Sequence, residues 1–205
     1  MTAFTTEQEA FWAGEFGDDY VNRNRYDIAA TLAMFSRILS KAYSVESIFE
    51  LGCNIGQNLR ALKFLKPGAT ISGIEINKTA HKFAVTDFPE VINGSILDLN
   101  PVDAGKVDLV YTKGVLIHLN PEALPAVYDK MAAIGQRYVM MSEYYNPTPT
   151  AISYRGHEQR LFKRDFAGEF LDRHPEFRLA DYGFVYHRDP VFPRDDATWF
   201  LMERI

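Results

Sequence analysis

The sequence predicts an α/β fold: a mostly parallel, seven-stranded sheet with helices on both faces and an antiparallel strand at its C-terminal end. Three observations carry this expectation. Between Ile48 and Met141, short apolar segments alternate with segments of helical period, the pattern of strands joined by crossover helices. Gly52, Gly94 and Gly114 each follow one of the apolar segments, where the chain must turn sharply. The C-terminal part then breaks the alternation. Leu179–Tyr186 and Thr198–Glu203 follow one another with no helix between them, and strands joined by a loop alone are usually antiparallel.

The elements follow in order. The stretch up to about Asn24 is aromatic and acidic, and Gly14 and Gly17 are expected to interrupt any long helix there. Asp27 can cap a helix whose buried stripe is Ile28, Leu32, Phe35 and Leu39. Ile48-Phe49-Glu50-Leu51 reads as the first strand. Leu59, Leu62 and Leu65 mark a helix stopped at Pro67-Gly68, and Thr70 to Ile76 is the second strand. A helix from Lys78 to Phe88 stops at Pro89. Val91-Ile92 and Val107 to Tyr111 are the third and fourth strands. Asn120-Pro121 starts a helix, because proline suits the first helical position. Leu124, Val127, Tyr128 and Met131 form its buried face, and Tyr138 to Met141 is the fifth strand. After a helix from Asp165 to His174, the sixth strand should run parallel to the first five, so that its far end opens on the same edge. Residues 1–205 are expected to form one domain, with 1–42 as an N-terminal helical lid.

Composition narrows the function. The 205 residues are 47% hydrophobic and 24% charged, which suits a globular chain with a core. A net charge of −5 argues against a nucleic-acid partner, whose phosphates usually call for a basic face. The single cysteine, Cys53, allows no intrachain disulfide. The N-terminus lacks the basic start and apolar run of a signal peptide, and no apolar run is long enough to span a bilayer. A cytoplasmic protein without a membrane partner is the expectation; the oligomeric state stays open. No histidine pair has metal-ligand spacing, so no protein-held metal is expected. There is no phosphate-binding Gly-x-x-x-x-Gly-Lys-Ser/Thr loop.

Five segments carry candidate chemistry. Glu50-Leu51-Gly52-Cys53-Asn54-Ile55-Gly56 ends the first strand in a turn that lets backbone approach a ligand, and the next helix offers free N–H groups. Asn54 tolerates left-handed backbone. In Ile74-Glu75-Ile76-Asn77, Glu75 can accept hydrogen bonds from both ribose hydroxyls of a nucleoside. It lies 23 residues after Gly52, near the spacing of about 20 that a dinucleotide also requires. Asn93-Gly94-Ser95-Ile96-Leu97-Asp98 can meet an adenine, with Ile96 on its face and Asp98 accepting from its amino group. Thr112-Lys113-Gly114 leaves the fourth strand toward His118, the candidate general base because its ordinary pKa is near neutrality. Finally, Glu143-Tyr144-Tyr145, Tyr154-Arg155-Gly156-His157 and Tyr186-His187-Arg188 are expected to converge over the cleft. Arginine forks suit carboxylate or phosphate, so an anionic small molecule is the expected substrate.

These residues resemble those of the pseudaminic acid biosynthesis-associated methylases, a branch of the class I methyltransferases. The resemblance runs through Phe11-Trp12-Ala13-Gly14-Glu15-Phe16-Gly17-Asp18, the Glu50–Gly56 loop, Thr112–His118, Glu143–Pro147, Ile152–His157 and Tyr182–Asp189. It implies a Rossmann-like methyltransferase sheet and S-adenosylmethionine (SAM) as cofactor. SAM would be held at Gly52, Gly56, Glu75 and the Ser95–Ile96 loop, with Glu50, Cys53, Asn54, Ile76, Lys113 and Gly114 around it. The N-terminal aromatics Trp12, Phe16 and Tyr20 would close the site. It also implies a link to bacterial surface sugars of the nonulosonic acid type, which does not define the methyl acceptor; in-line transfer to an oxygen or nitrogen of a small anionic metabolite is the expected reaction. Two rival readings use the same sheet: a non-catalytic SAM-binding sensor or partner subunit, and an NAD-dependent oxidoreductase.

Overall fold

Apolar residues at alternate positions of each strand serve two cores, one on each face of a single sheet. On β1 (Ser47–Leu51), Phe49 and Leu51 face one core and Ile48 faces the other. On β4 (Val107–Lys113), Val110 faces the first core and Leu109 and Tyr111 the second. Strands buried on both faces read as near-continuous apolar runs. The computed structural model describes residues 4–23 and 27–205. Met1 to Ala3 and Asn24, at the two ends of the N-terminal stretch read above, lie outside the described residues.

The sheet has the order β3-β2-β1-β4-β5-β9-β8. Its remaining strands are β2 (Thr70–Glu75), β3 (Ile92–Asn93), β5 (Gly135–Glu143), β8 (Phe177–Val185) and β9 (Ala197–Arg204). The pairs β1/β2, β1/β4, β2/β3 and β4/β5 are parallel. The last strand, β9, runs antiparallel between β5 and β8, which leaves β8 pointing the same way as the first five. Helices α3 (Ile28–Leu39), α4 (Gln57–Leu65) and α5 (Lys78–Asp87) cover one face. The short α6 (Pro101–Ala104), then α7 (Leu124–Ile134) and α8 (Phe166–Arg173), cover the other. Phe35 and Ile38 of α3 are wholly buried against Leu59, Leu62 and Tyr111.

The seven-stranded, mostly parallel sheet is the one the sequence predicts. Two local features depart from expectation. Gly14 ends α1 (Glu7–Ala13), but Gly17 sits inside α2 (Glu15–Arg23) and does not break it. A Cβ at Gly17 would lie 1.9 Å from the Trp12 carbonyl oxygen, so glycine serves close packing there. The sequence also conceals a two-stranded sheet, β6 (Thr150–Tyr154) and β7 (His157–Lys163), outside the main one. Its two-residue turn, Arg155-Gly156, has φ of +51° and +85°, the positive pair of a type I′ hairpin. Most of its residues are exposed, so no buried-face alternation marks it. Among the described residues, no helix is long and apolar enough to cross a membrane.

Candidate active site

The strand ends open on one edge, where open α/β sheets place ligands. There the loop after β1 folds back on β2: the N–H groups of Gly52 and Cys53 both donate to the Ile74 carbonyl, at 2.9 and 3.0 Å. Gly52, Asn54 and Gly56 have φ of +76°, +49° and +79°. A Cβ on Gly52 would come within 2.7 Å of Val115 Cγ2, so the loop can pass β4's exit only with glycine there. Gly56 caps α4 without a side-chain hydrogen bond, so first-turn N–H groups face the cleft edge for an anionic ligand group.

Glu75, at the end of β2, is buried. Its Oε2 accepts from the Asn54 N–H and its Oε1 from the Asn77 N–H, both at 2.7 Å. Burial pushes its pKa up, and those amides pull it partly back. Each carboxylate oxygen keeps capacity for another donor, such as a sugar hydroxyl. Beneath the loop, Glu50 accepts from Asn58 Nδ2 at 2.7 Å and lies beside the Tyr111 hydroxyl. Full burial raises its pKa to about 7. After β3, Ser95 and Ile96 line the cavity, whereas Asp98 is exposed and stands outside it.

Beyond Gly114, the backbone is organised by Glu143. This buried carboxylate accepts from the N–H groups of Val115 (3.0 Å) and Ile117 (3.4 Å), and burial raises its pKa to about 7. The turn it holds carries His118. The His118 ring is 8% exposed, 4.6 Å from the Trp12 ring and 4.9 Å from the Tyr154 ring. Its Nδ1 lies 2.6 Å from the Arg160 carbonyl oxygen, which can only accept, so Nδ1 carries the proton and Nε2 offers a lone pair. Burial lowers the pKa to about 4, well below the near-neutral value on which its selection from sequence rested.

Helices α1 and α2 roof the cleft. The capping-box Glu9 accepts from Thr6 N–H at 2.8 Å, and its other oxygen accepts from the Ser95 hydroxyl. Gln8 Nε2 donates to the Gln159 carbonyl at 3.1 Å, and Asn77 Nδ2 donates to Asp18 at 3.0 Å. The roof is thus tied to the β3 loop, to β7 and to the cap of α5. The Trp12 Nε1–H is buried without a hydrogen-bond partner, a donor on the wall of the cleft.

The cavity in this cleft measures about 320 Å³. Most residues expected to hold a cofactor line it: Trp12, Tyr20, Gly52, Cys53, Asn54, Glu75, Ile76, Ser95, Ile96, Lys113 and Gly114. His118, Tyr144, Tyr154 and Arg155 line its other half. Glu50, at the end of β1, and Gly56, where the loop enters α4, are not on the wall. Five expected substrate residues do not reach the wall. Tyr145 turns out toward Phe200, with ring centroids 5.8 Å apart, and His157 packs on Phe11 at 4.9 Å. Tyr186 and Arg188 are exposed, and His187 is engaged by Asp196 at 2.8 Å. In their place stand Arg194 and Asp195 from the β8–β9 loop, with Arg23 and Glu143. The Arg-Asp pair follows Pro193 in a loop without periodicity, so no sequence signal marked it. Glu143 stood in a quoted segment, but its backbone partners are visible only in three dimensions. Among the described residues, no cluster of His, Cys, Asp or Glu could hold a metal ion.

The glycine loop, the strand-end carboxylate and the antiparallel last strand are those of the Rossmann-like fold of SAM-dependent methyltransferases. Residues 49–135 match the methyltransferase domain family. The structure is similar to magnesium protoporphyrin IX methyltransferase from Synechocystis PCC 6803 with bound SAM. That likeness has 15% identity and a TM-score of 0.68, with 100% of each chain covered. It is also similar to a SAM-dependent methyltransferase from Archaeoglobus fulgidus, at 13% identity and TM-score 0.68, covering 93% of this chain and 100% of that one. A third is a SAM-bound amino pentose methyltransferase of calicheamicin biosynthesis from Micromonospora echinaspora, at 12% identity and TM-score 0.64, covering 93% and 96%. At such identities the likeness is one of fold. No curated protein matches the sequence. The family match and the sheet order favour the methyltransferase reading over the NAD-dependent oxidoreductase.

Proposed function

We propose that this enzyme methylates an oxygen or nitrogen of a small anionic metabolite, a sugar acid of the nonulosonic, pseudaminic-type class, in the cytoplasm. The resemblance to pseudaminic acid-associated methylases supports the sugar acid, and an amino pentose methyltransferase among the fold relatives is in keeping with a sugar acceptor. SAM supplies an activated methyl group on a good leaving group. The chain's part is then to align donor and acceptor and to exclude water. In this reading the Gly52–Gly56 turn holds the amino-acid end of SAM, Glu75 takes the ribose hydroxyls, and Ser95 with Ile96 meets the adenine. Helices α1 and α2 act as a lid, and Arg155, Tyr144 and Tyr154 face the acceptor.

The observation that carries the proposal is the neutral His118 ring on the cavity wall beyond Gly114, with Nε2 free to accept. A base with a pKa near 4 is weak. It suffices because an attacking hydroxyl becomes strongly acidic as its oxygen bonds to the methyl carbon. His118→Ala is the test, assayed for methylation of a panel of nonulosonic acids. For a hydroxyl acceptor we expect turnover to fall about 100-fold or more, with SAM affinity by calorimetry unchanged. Near-normal turnover removes His118 as the base and leaves the acceptors that need none, a carboxylate oxygen or a neutral amine nitrogen.

A further inference from the structure

The β8–β9 loop, residues 186–196, is built to drive one cation inward. Val191 and Phe192 are exposed at 67% and 43%, yet Arg194 beside them is only 6% exposed and lines the cavity. The loop is pinned at both ends. The Tyr186 carbonyl accepts from the N–H groups of Asp189 and Arg194, at 3.2 and 3.0 Å. Asp189 accepts from the N–H groups of Val191 and Phe192, and Asp196 holds both the N–H and Nδ1 of His187. Below this neck, Val185 pairs with Ala197 in the sheet.

Lys113, at the end of β4, lines the same wall. The charges that act on it are Arg194, Glu50, Asp195 and Glu143. Glu143 accepts from the amides of Val115 and Ile117, Glu50 accepts from Asn58 through one oxygen, and Asp195 lines the cavity beside Arg194. Burial, with the Arg194 charge, lowers the Lys113 pKa to about 8, while Glu50, Asp195 and Glu143 act against that; both cations stand on the wall of the same cavity. In the sheet order β1-β4-β5-β9-β8, Arg194 enters from the flank opposite the Gly52 loop. The amino-acid end of SAM belongs at that loop, so the Arg194 flank falls to the acceptor.

We infer that Arg194 and Lys113 form the subsite for the acceptor's anionic group, a carboxylate or phosphate, with Arg194 supplying the fork and Lys113 the second charge. This rests on the proposed reading of the cleft and replaces Arg188, which stays outside. The full chain, loaded with S-adenosylhomocysteine (SAH), is titrated calorimetrically with N-acetylneuraminate, with its neutral methyl ester, and with UDP-N-acetylglucosamine as a phosphate source lacking a carboxylate. The variants are Arg194→Gln and the charge-keeping Arg194→Lys, each with its melting midpoint recorded. We expect the acid to bind at least tenfold more tightly than the ester. Arg194→Gln should weaken the anion by about 30-fold or more, the cost of truncating a buried charge partner, and leave the ester and SAH unchanged. Arg194→Lys should fall between, since it lacks the fork. If only the UDP-sugar shows the loss, the anion is a phosphate. If neither anion binds in an Arg194-dependent way, the inference fails. It fails equally if Arg194→Gln weakens SAH in parallel, since the pair then holds the cofactor's own carboxylate. A wild-type chain that does not bind SAH sinks the cofactor reading instead.

Discussion

The two halves of the cleft are built by different means. The core of the half proposed for the cofactor is local: a turn with three positive-φ residues, a carboxylate one strand over, and a short loop after the next strand, all within residues 50–97. The half proposed for the acceptor is assembled from four distant pieces. These are the Glu143-organised turn, the β6–β7 hairpin, α1–α2, and the inward-turned β8–β9 loop. Backbone geometry does most of the work in the first half, side-chain placement in the second. A common fold can therefore keep one cofactor while loops change the acceptor.

If the cofactor half depends on backbone shape, one methyl group should break it. Gly52→Ala places a Cβ at φ +76° and 2.7 Å from Val115 Cγ2. We expect SAM affinity, measured calorimetrically, to fall at least about 100-fold. Unchanged binding would mean the turn has room that its geometry denies.

A smaller effect separates shape from charge beneath the same turn. Glu50 has a folded pKa raised from 4.5 to about 7, so it is a group whose stability contribution is complete below about 4.5 and is lost as pH rises through about 7. Glu50→Gln keeps the acceptor for Asn58 and cannot ionise. Its stability advantage over the wild type should grow between pH 4.5 and 7 and then level off, on the order of 3 kcal/mol. Denaturant melts across that range measure it. His118, lowered to about 4, acts in the other direction, losing stability as pH falls below about 6.5. Only the difference between variant and wild type therefore isolates Glu50.

The smallest effect tests the boundary of the acceptor half. Arg188 is exposed and off the cavity wall. Arg188→Gln should change acceptor KM by less than about twofold, as surface substitutions generally do little. A large rise would show that the β8–β9 loop rearranges to bring Arg188 in.

What the chain determines by itself is what short-range physics writes into it. Two-faced apolar runs set the parallel strands, the missing crossover helix set the antiparallel end, and Gly52, Asn54 and Gly56 marked the turn before any partner was known. Glu75 was legible because its place follows from the strand end alone. The tertiary structure decided the rest. The neighbours Arg188 and Arg194 are alike in charge, and only the pinning of their loop by Tyr186, Asp189 and Asp196 turns one outward and one inward. His118 is a neutral acceptor rather than a near-neutral titrant because Trp12, Tyr154 and the Arg160 carbonyl, all remote in sequence, enclose it. Side-chain direction and desolvation depend on contacts between distant segments, and no local pattern encodes them.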